Sequence, residues 1–215
     1  MAIRFPDPRD AGDDGLLAVG GDLRPETLLA AYRSGIFPWP IEGWPLTWFS
    51  PKERAVLLFD ELHVPRRLAR ERRSTPFRFT IDQNFRGVIE ACARARRPEG
   101  PGTWITAGMI RGYCELHRRG HAHSVEAWEW DELVGGLYGV DADGVFSGES
   151  MFYRRANASK LALLFLVEHL RARGLGWLDA QVMTPHVEAL GARLVPREEF
   201  LALLARERRR GLRLF

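Results

Sequence analysis

The segment Trp177-Leu178-Asp179-Ala180-Gln181-Val182 sets an acid and an amide two residues apart in an otherwise apolar run. Side chains alternate along a strand, so Asp179 and Gln181 are expected on one face, roughly 7 Å apart at about 3.3 Å per residue. A carboxylate and a carboxamide aimed into a cleft can orient an amine and a carbonyl. The alternative is a polar pair that satisfies loop amides. A second acid, Glu149, lies in Ser147-Gly148-Glu149-Ser150-Met151-Phe152. Strand alternation puts Glu149 with Met151 on one face and Ser150 with Phe152 on the other. Glu149 beside small residues could hold a cationic amino terminus; the plain alternative is an edge-strand charge. Ser150 is a poor hydrolase nucleophile, because a nucleophile elbow needs glycine two residues on either side and position 152 is Phe.

Other motifs carry less. Leu133 to Val140 holds Gly135, Gly136 and Gly139 within one strand. Glycine weakens a strand unless backbone or ligand approaches closely, and a ligand-lined strand is the favoured reading over a bulge. Arg171-Ala172-Arg173-Gly174-Leu175-Gly176 imitates the acyl-CoA pyrophosphate loop. That loop needs a strand before it and a helix N-terminus after it, and here the order is reversed. A helix C-cap is the better reading, which argues against CoA. Cys114, His117, His121 and His123 fit no standard zinc spacing, so no metal is expected.

Lysine and arginine total 31, and Lys52 and Lys160 are the only lysines, leaving 29 arginines in a chain of net charge +3. The arginines cluster at Arg66, Arg67, Arg70, Arg72 and Arg73, at Arg94, Arg96 and Arg97, and at Arg206, Arg208, Arg209 and Arg210. Such runs usually solvate helix faces, but they also suit an RNA backbone. Hydrophobic residues at 46% and charged residues at 27% describe a globular chain. The longest apolar run, Leu161 to Val167, is too short for a bilayer, and residues 1–8 lack the apolar core of a signal peptide. With only Cys92 and Cys114, no disulfide framework is implied and a reducing cytoplasm is expected.

The elements that must position these groups follow from periodicity and punctuation. Residues 1–55 are rich in Pro, Gly and Trp and read as a small N-terminal domain. One helix there spans Pro25 to Ser34, with Leu28 and Tyr32 on one face and Gly35 as its stop. Regular alternation is expected only from about Ala55, giving a second domain over 56–215. Phe77, Phe79 and Ile81 alternate as a strand, and Phe85, Val88, Ile89 and Cys92 mark a helix face. A helix over Ala107–Arg118 precedes three strands near 123–128, 133–140 and 145–152. A strongly apolar helix from Ala158 to Arg173 leads to the 177–182 strand, a short helix capped by Thr184, a strand near 193–195 and a last helix. An antiparallel meander, a buried helix and a further strand define an α+β fold with a mixed, largely antiparallel sheet flanked by helices, an order that resembles the acetyltransferase-like (GNAT) fold.

With the segments placed, the chain resembles the leucyl/phenylalanyl-tRNA–protein transferase family over nearly its whole length. The matching stretches include Gly20 to Leu23, Gly35-Ile36-Phe37-Pro38-Trp39, Gly102-Thr103-Trp104-Ile105, Gly120 to Glu126, Leu133 to Gly139, Gly148 to Phe152, Ala158-Ser159-Lys160 and Asp179-Ala180-Gln181-Val182. The resemblance implies transfer of Leu or Phe, less often Met, from aminoacyl-tRNA to proteins beginning with Arg or Lys, creating a bacterial degradation signal. It implies that Asp179 and Gln181 form the central pair and that Glu149 helps hold the substrate; on that basis Asp179 is expected to orient and polarise Gln181, which positions the amine. Trp39 and Trp104 would be platforms for the terminal adenosine. Leu137, Met151, Leu163, Leu166, Leu170 and Leu178 would line the amino-acid pocket. The tRNA ester is already activated, so no cofactor is expected, and the expected assembly is a monomer without membrane contact. Departures are Ala180, where relatives usually have Cys, and Trp48-Phe49-Ser50-Pro51-Lys52-Glu53-Arg54, where Trp-Trp-Ser-Pro-Asp-Pro-Arg is more usual. The rival functions are an acetyl-CoA-dependent N-acetyltransferase and a non-catalytic tRNA-binding module.

Overall fold

The computed structural model describes residues 4–95 and 104–215. Met1 to Ile3, Arg96 and Arg97 of the second arginine cluster, and Gly102 and Thr103 lie outside the described residues. The first part of the chain folds as β1 (Leu16–Val19), α1 (Pro25–Arg33), β2 (Phe37–Pro38) and β3 (Thr47–Phe49). The three strands make a small antiparallel sheet in the order β1-β3-β2, which the sequence pattern did not reveal. Pro25 opens α1 in the first turn, where its missing N–H costs nothing, and Gly35 ends it at φ +76.

The larger sheet has seven strands in the order β10-β4-β9-β8-β7-β6-β5. These are β4 (Glu53–Leu58), β5 (Arg78–Ile81), β6 (Ala122–Glu129), β7 (Glu132–Asp141), β8 (Phe146–Tyr153), β9 (Trp177–Gln181) and β10 (Arg193–Pro196). The sequence pattern assigned no element to 53–58, yet it is an inner strand. Ala55, Val56 and Leu57 are all buried, and a strand covered on both faces shows no polar alternation to betray it. Its first residues, Glu53 and Arg54, precede the boundary drawn at Ala55, so β4 straddles that boundary.

All neighbours pair antiparallel except β8 and β9. Parallel partners need a crossover, and α5 (Ala158–Ala172) supplies it. That helix is apolar nearly all round and is buried accordingly. It covers one face of the sheet with α2 (Arg66–Ser74), in a core that includes Leu68, Val125, Leu137, Leu163 and Leu178, while α7 (Arg197–Arg208) packs on the opposite side, with Phe200 against Arg54 and Trp177 and with Leu201 and Leu204 at Gly35. On the other face α1 packs with α3 (Phe85–Arg94) and α4 (Ala107–Arg118) over Tyr138, Val140 and Phe152. The result is an α+β layered molecule with a mixed, largely antiparallel sheet flanked by helices. A short helix, α6 (Pro185–Glu188), follows β9 and is capped by Thr184. Among the described residues no helix is long and apolar enough to cross a membrane.

Candidate active site

Asp179 sits near the carboxyl end of β9 and is only 1% exposed. An unpaired carboxylate there would be expensive, and β4 provides its partner. Arg54 Nε donates to Asp179 Oδ1 and Arg54 Nη2 to Oδ2, each at 2.7 Å, a bidentate fork. Ser147 Oγ donates to Oδ2 at 2.9 Å, and the Gln181 main-chain N–H donates to Oδ1 at 2.9 Å. The guanidinium is held in turn: Nη1 donates to the Gly35 carbonyl at 3.1 Å, and Phe37 and Phe200 stack over its carbon at 4.6 and 4.5 Å. Each carboxylate oxygen therefore accepts two hydrogen bonds, one of them from a fixed cation.

This corrects the expected relation within the pair. Asp179 does not polarise the Gln181 carboxamide; it fixes the Gln181 backbone. That bond helps hold Gln181 at φ +61, a left-handed conformation costing about 1–3 kcal/mol in a non-glycine residue. The Gln181 side chain reaches Glu149 on the same side of the sheet as Asp179, its Nε2 donating to Oε1.

Glu149 owes its direction to an irregularity. In the register of β7 with β8, Tyr138 pairs with Ser150 and Gly139 with Gly148, so Glu149 is the extra residue of a β-bulge. The bulge overturns the expectation that Glu149 shares a face with Met151. Met151 packs on the α5 side, whereas Glu149 reaches α1 and α4 on the opposite side. Tyr32 Oη donates to Oε1 at 2.6 Å, Tyr113 Oη donates to Oε2 at 3.0 Å, and the two phenol oxygens contact each other. Two phenol protons cannot serve these three contacts; when Glu149 is protonated it donates to one phenol oxygen, and that phenol then donates to the other. Burial, the largest influence, pushes the Glu149 carboxyl up to about 7 despite these donors, and burial likewise holds both tyrosines well above the usual phenol range.

Arg54, Ser147, Tyr32 and Tyr113 are the members that sequence reasoning missed. A signal existed for Arg54, a lone cation heading the apolar run Ala55-Val56-Leu57-Leu58, opposite a strand known to carry a carboxylate. Tyr32 reads as core beside Leu28, and only its hydroxyl hints otherwise. Trp39 and Trp104 come together as one stack, centroids 5.4 Å apart at 12°, each half-buried. Phe37 links this stack to Arg54, with its ring 6.2 Å from Trp39. Leu137, Leu163, Leu166, Leu170 and Leu178 converge in the core on the α5 side, and Met151 packs against them half-exposed.

The strand glycines serve packing. A Cβ on Gly135 would fall 2.6 Å from that of Ala158 in the first turn of α5, and one on Gly139 would fall 2.3 Å from the Ser147 carbonyl oxygen. The expected ligand-lined strand is therefore a close approach of helix and strand. Several arginines are paired internally: Arg208 with Asp143, Arg210 with Glu207 and Arg72 with Glu168.

A protein with this arrangement has a buried, internally neutralised carboxylate that stiffens a strand end, and beside it a carboxamide with a proton-exchanging acid. Two family models match the chain: "Leucyl/phenylalanyl-tRNA protein transferase" over residues 56–205 and its N-terminal domain over residues 21–52. A leucyl/phenylalanyl-tRNA–protein transferase of Anaeromyxobacter dehalogenans strain 2CP-C is 54% identical over 202 residues, covering 94% of this chain and 87% of that one. The enzyme of the same name from Pseudomonas syringae pv. syringae strain B728a is 52% identical over 193 residues, covering 90% and 84%. Among solved structures, L-PGS from Bacillus licheniformis aligns with 62% of this chain and 47% of its own, at 14% identity and a TM-score of 0.42, too distant to carry an argument. The chain belongs to the leucyl/phenylalanyl-tRNA–protein transferase family.

Proposed function

We propose that this chain moves Leu or Phe, and less readily Met, from aminoacyl-tRNA to the α-amine of proteins beginning with Arg or Lys, marking them for bacterial degradation. The names of its relatives support the transfer, and the observation that carries the chemistry is the Arg54–Asp179–Gln181–Glu149 chain of contacts at the end of β9. The attacking amine must be neutral and aligned with the ester carbonyl. The Gln181 carbonyl oxygen accepts an N–H of that amine, and its carboxamide is held by the donor bond to Glu149. With its carboxyl at about 7, Glu149 is part-ionised near neutrality; in that form it takes the proton the amine gives up as the C–N bond forms and passes it to the ribose oxygen as the ester C–O bond breaks. Asp179 and Arg54 are positioning residues. Alignment of amine and ester supplies much of the rate.

The Trp39–Trp104 pair offers indole faces to the terminal adenosine, with base stacking worth about 1–3 kcal/mol. The leucines and Met151 form the apolar end that receives the amino-acid side chain. An apolar pocket distinguishes side chains by only about 1–3 kcal/mol per methylene, so several bulky residues are accepted. The meander, the parallel β8–β9 pair and the α5 crossover support a GNAT-like reading of the second domain. The enzyme works as a cytoplasmic monomer. Incubating the chain with radiolabelled Leu-tRNA and a protein beginning in Arg tests the proposal. Label should pass to the protein; a reaction without label transfer, or equal labelling of an acceptor beginning with Asp, refutes it.

A further inference from the structure

β8 and β9 run parallel and so deliver the chain to the same side of the sheet. Beyond β8 comes the first turn of α5; beyond β9 comes α6. Between them, closed by the first turns of α2, is a cavity of about 160 Å³ lined by Pro65, Arg67, Leu68, Asn157, Lys160, His186, Ala189 and Leu190. None of these residues belongs to the site described above, yet the cavity lies off the ends of the two strands that carry Glu149 and Gln181. Ligands of sheets with parallel strands commonly sit beyond the carboxyl ends of those strands.

The lining is asymmetric in charge. Among the described residues, neither Lys160 nor Arg67 has a carboxylate partner. Glu71, on the same helix as Arg67, instead accepts from Asn157 Nδ2 at 2.7 Å. The contrast with the other lysine is informative, since Lys52 pairs with Asp13 at 2.7 Å. His186 Nε2 is buried and has no hydrogen-bond partner among the described residues. Burial, and then the charge of Lys160, hold its imidazole below the usual range. Asn157 spends its side chain on Glu71 and does not cap α5, so the positive end of that helix also lies at this wall. Two cations, an unpaired ring nitrogen and a helix start face one cavity whose lining holds no acid, the nearby Glu71 being bound to Asn157, and together they call for an anion.

We propose that this pocket binds a backbone phosphate near the aminoacylated end of the tRNA, with Lys160 and Arg67 supplying charge and His186 Nε2 a hydrogen bond. The proposal rests on the aminoacyl-tRNA reading and adds a second anchor to the tryptophan stack. Its walls of Pro65, Leu68, Ala189 and Leu190 suit the sugar that accompanies a phosphodiester. A single phosphate held beyond β8 and β9 fixes the direction in which the strand end enters the site.

The test uses the full chain and an acceptor-stem RNA hairpin ending in leucine through a stable amide. Binding is measured against salt for the wild type, Lys160→Gln and His186→Phe, with a neutral methylphosphonate placed in turn at each of the last few linkages. Each phosphate contact contributes about one to the salt slope, so the slope should fall by about 1 in Lys160→Gln and return in Lys160→Arg. One methylphosphonate position should weaken wild-type binding on the order of tenfold, as for a lost hydrogen bond to a charged group, but leave Lys160→Gln nearly unaffected. A salt slope in Lys160→Gln equal to that of a wild type that still transfers leucine overturns the pocket and spares the function. Unchanged RNA binding with a raised KM for the acceptor protein assigns the pocket to an acidic acceptor segment and overturns it equally. A wild type that neither binds the hairpin nor transfers leucine overturns both readings.

Discussion

Replacing Glu149 by Gln takes one ionisable group from a network whose geometry favours its neutral form. Folding lifts this carboxyl from 4.5 to about 7, chiefly by burial. An acid whose pKa rises on folding holds its proton more tightly in the native state. Its stabilising contribution is therefore complete below 4.5 and is lost as pH climbs through about 7. The full change is about 3 kcal/mol, because a tenfold change in proton affinity is worth about 1.4 kcal/mol. Glutamine keeps the shape, can donate to a phenol oxygen and cannot ionise. Urea unfolding of both proteins from pH 4.5 to pH 8.5, compared as a difference, cancels the titrations they share. The variant should gain on the wild type between pH 4.5 and about 7 and then level off, at about 3 kcal/mol. A difference that does not change with pH, or one that shrinks as pH rises, refutes a neutral buried Glu149.

Arg54→Met leaves the Asp179 carboxylate buried without its cation and should cost about 3–5 kcal/mol by urea unfolding, with Arg54→Met/Asp179→Leu recovering a large part. Gln181→Ala should lower the rate of leucyl transfer much more than it lowers stability; near-normal turnover removes Gln181 from the mechanism. Trp39→Ala should weaken binding of the leucylated hairpin by about 1–3 kcal/mol, and Trp39→Phe should retain much of it. Gly135→Ala drives a methyl against the first turn of α5 and should destabilise by about 1–3 kcal/mol in a thermal melt, whether or not tRNA is bound.

The sequence determined whatever is encoded by neighbours along the chain. Pro25 and Gly35 bound α1, Asn84 and Thr106 cap α3 and α4, and the all-apolar stretch from Ala158 had to be buried. Alternation put Asp179 and Gln181 on one face of a strand, and the ordered motifs pointed to the family. Tertiary structure decided who answers whom. Arg54 lies 125 residues from Asp179, and Tyr32 lies 117 residues from Glu149, distances at which local pattern carries no information. The bulge at Glu149 and the left-handed Gln181 depend on β7, β8 and Arg54-held Asp179 being in place, since either backbone conformation would be unfavourable in an isolated strand. A buried charge states that it needs a partner; only the packing of β4 beside β9 says which one.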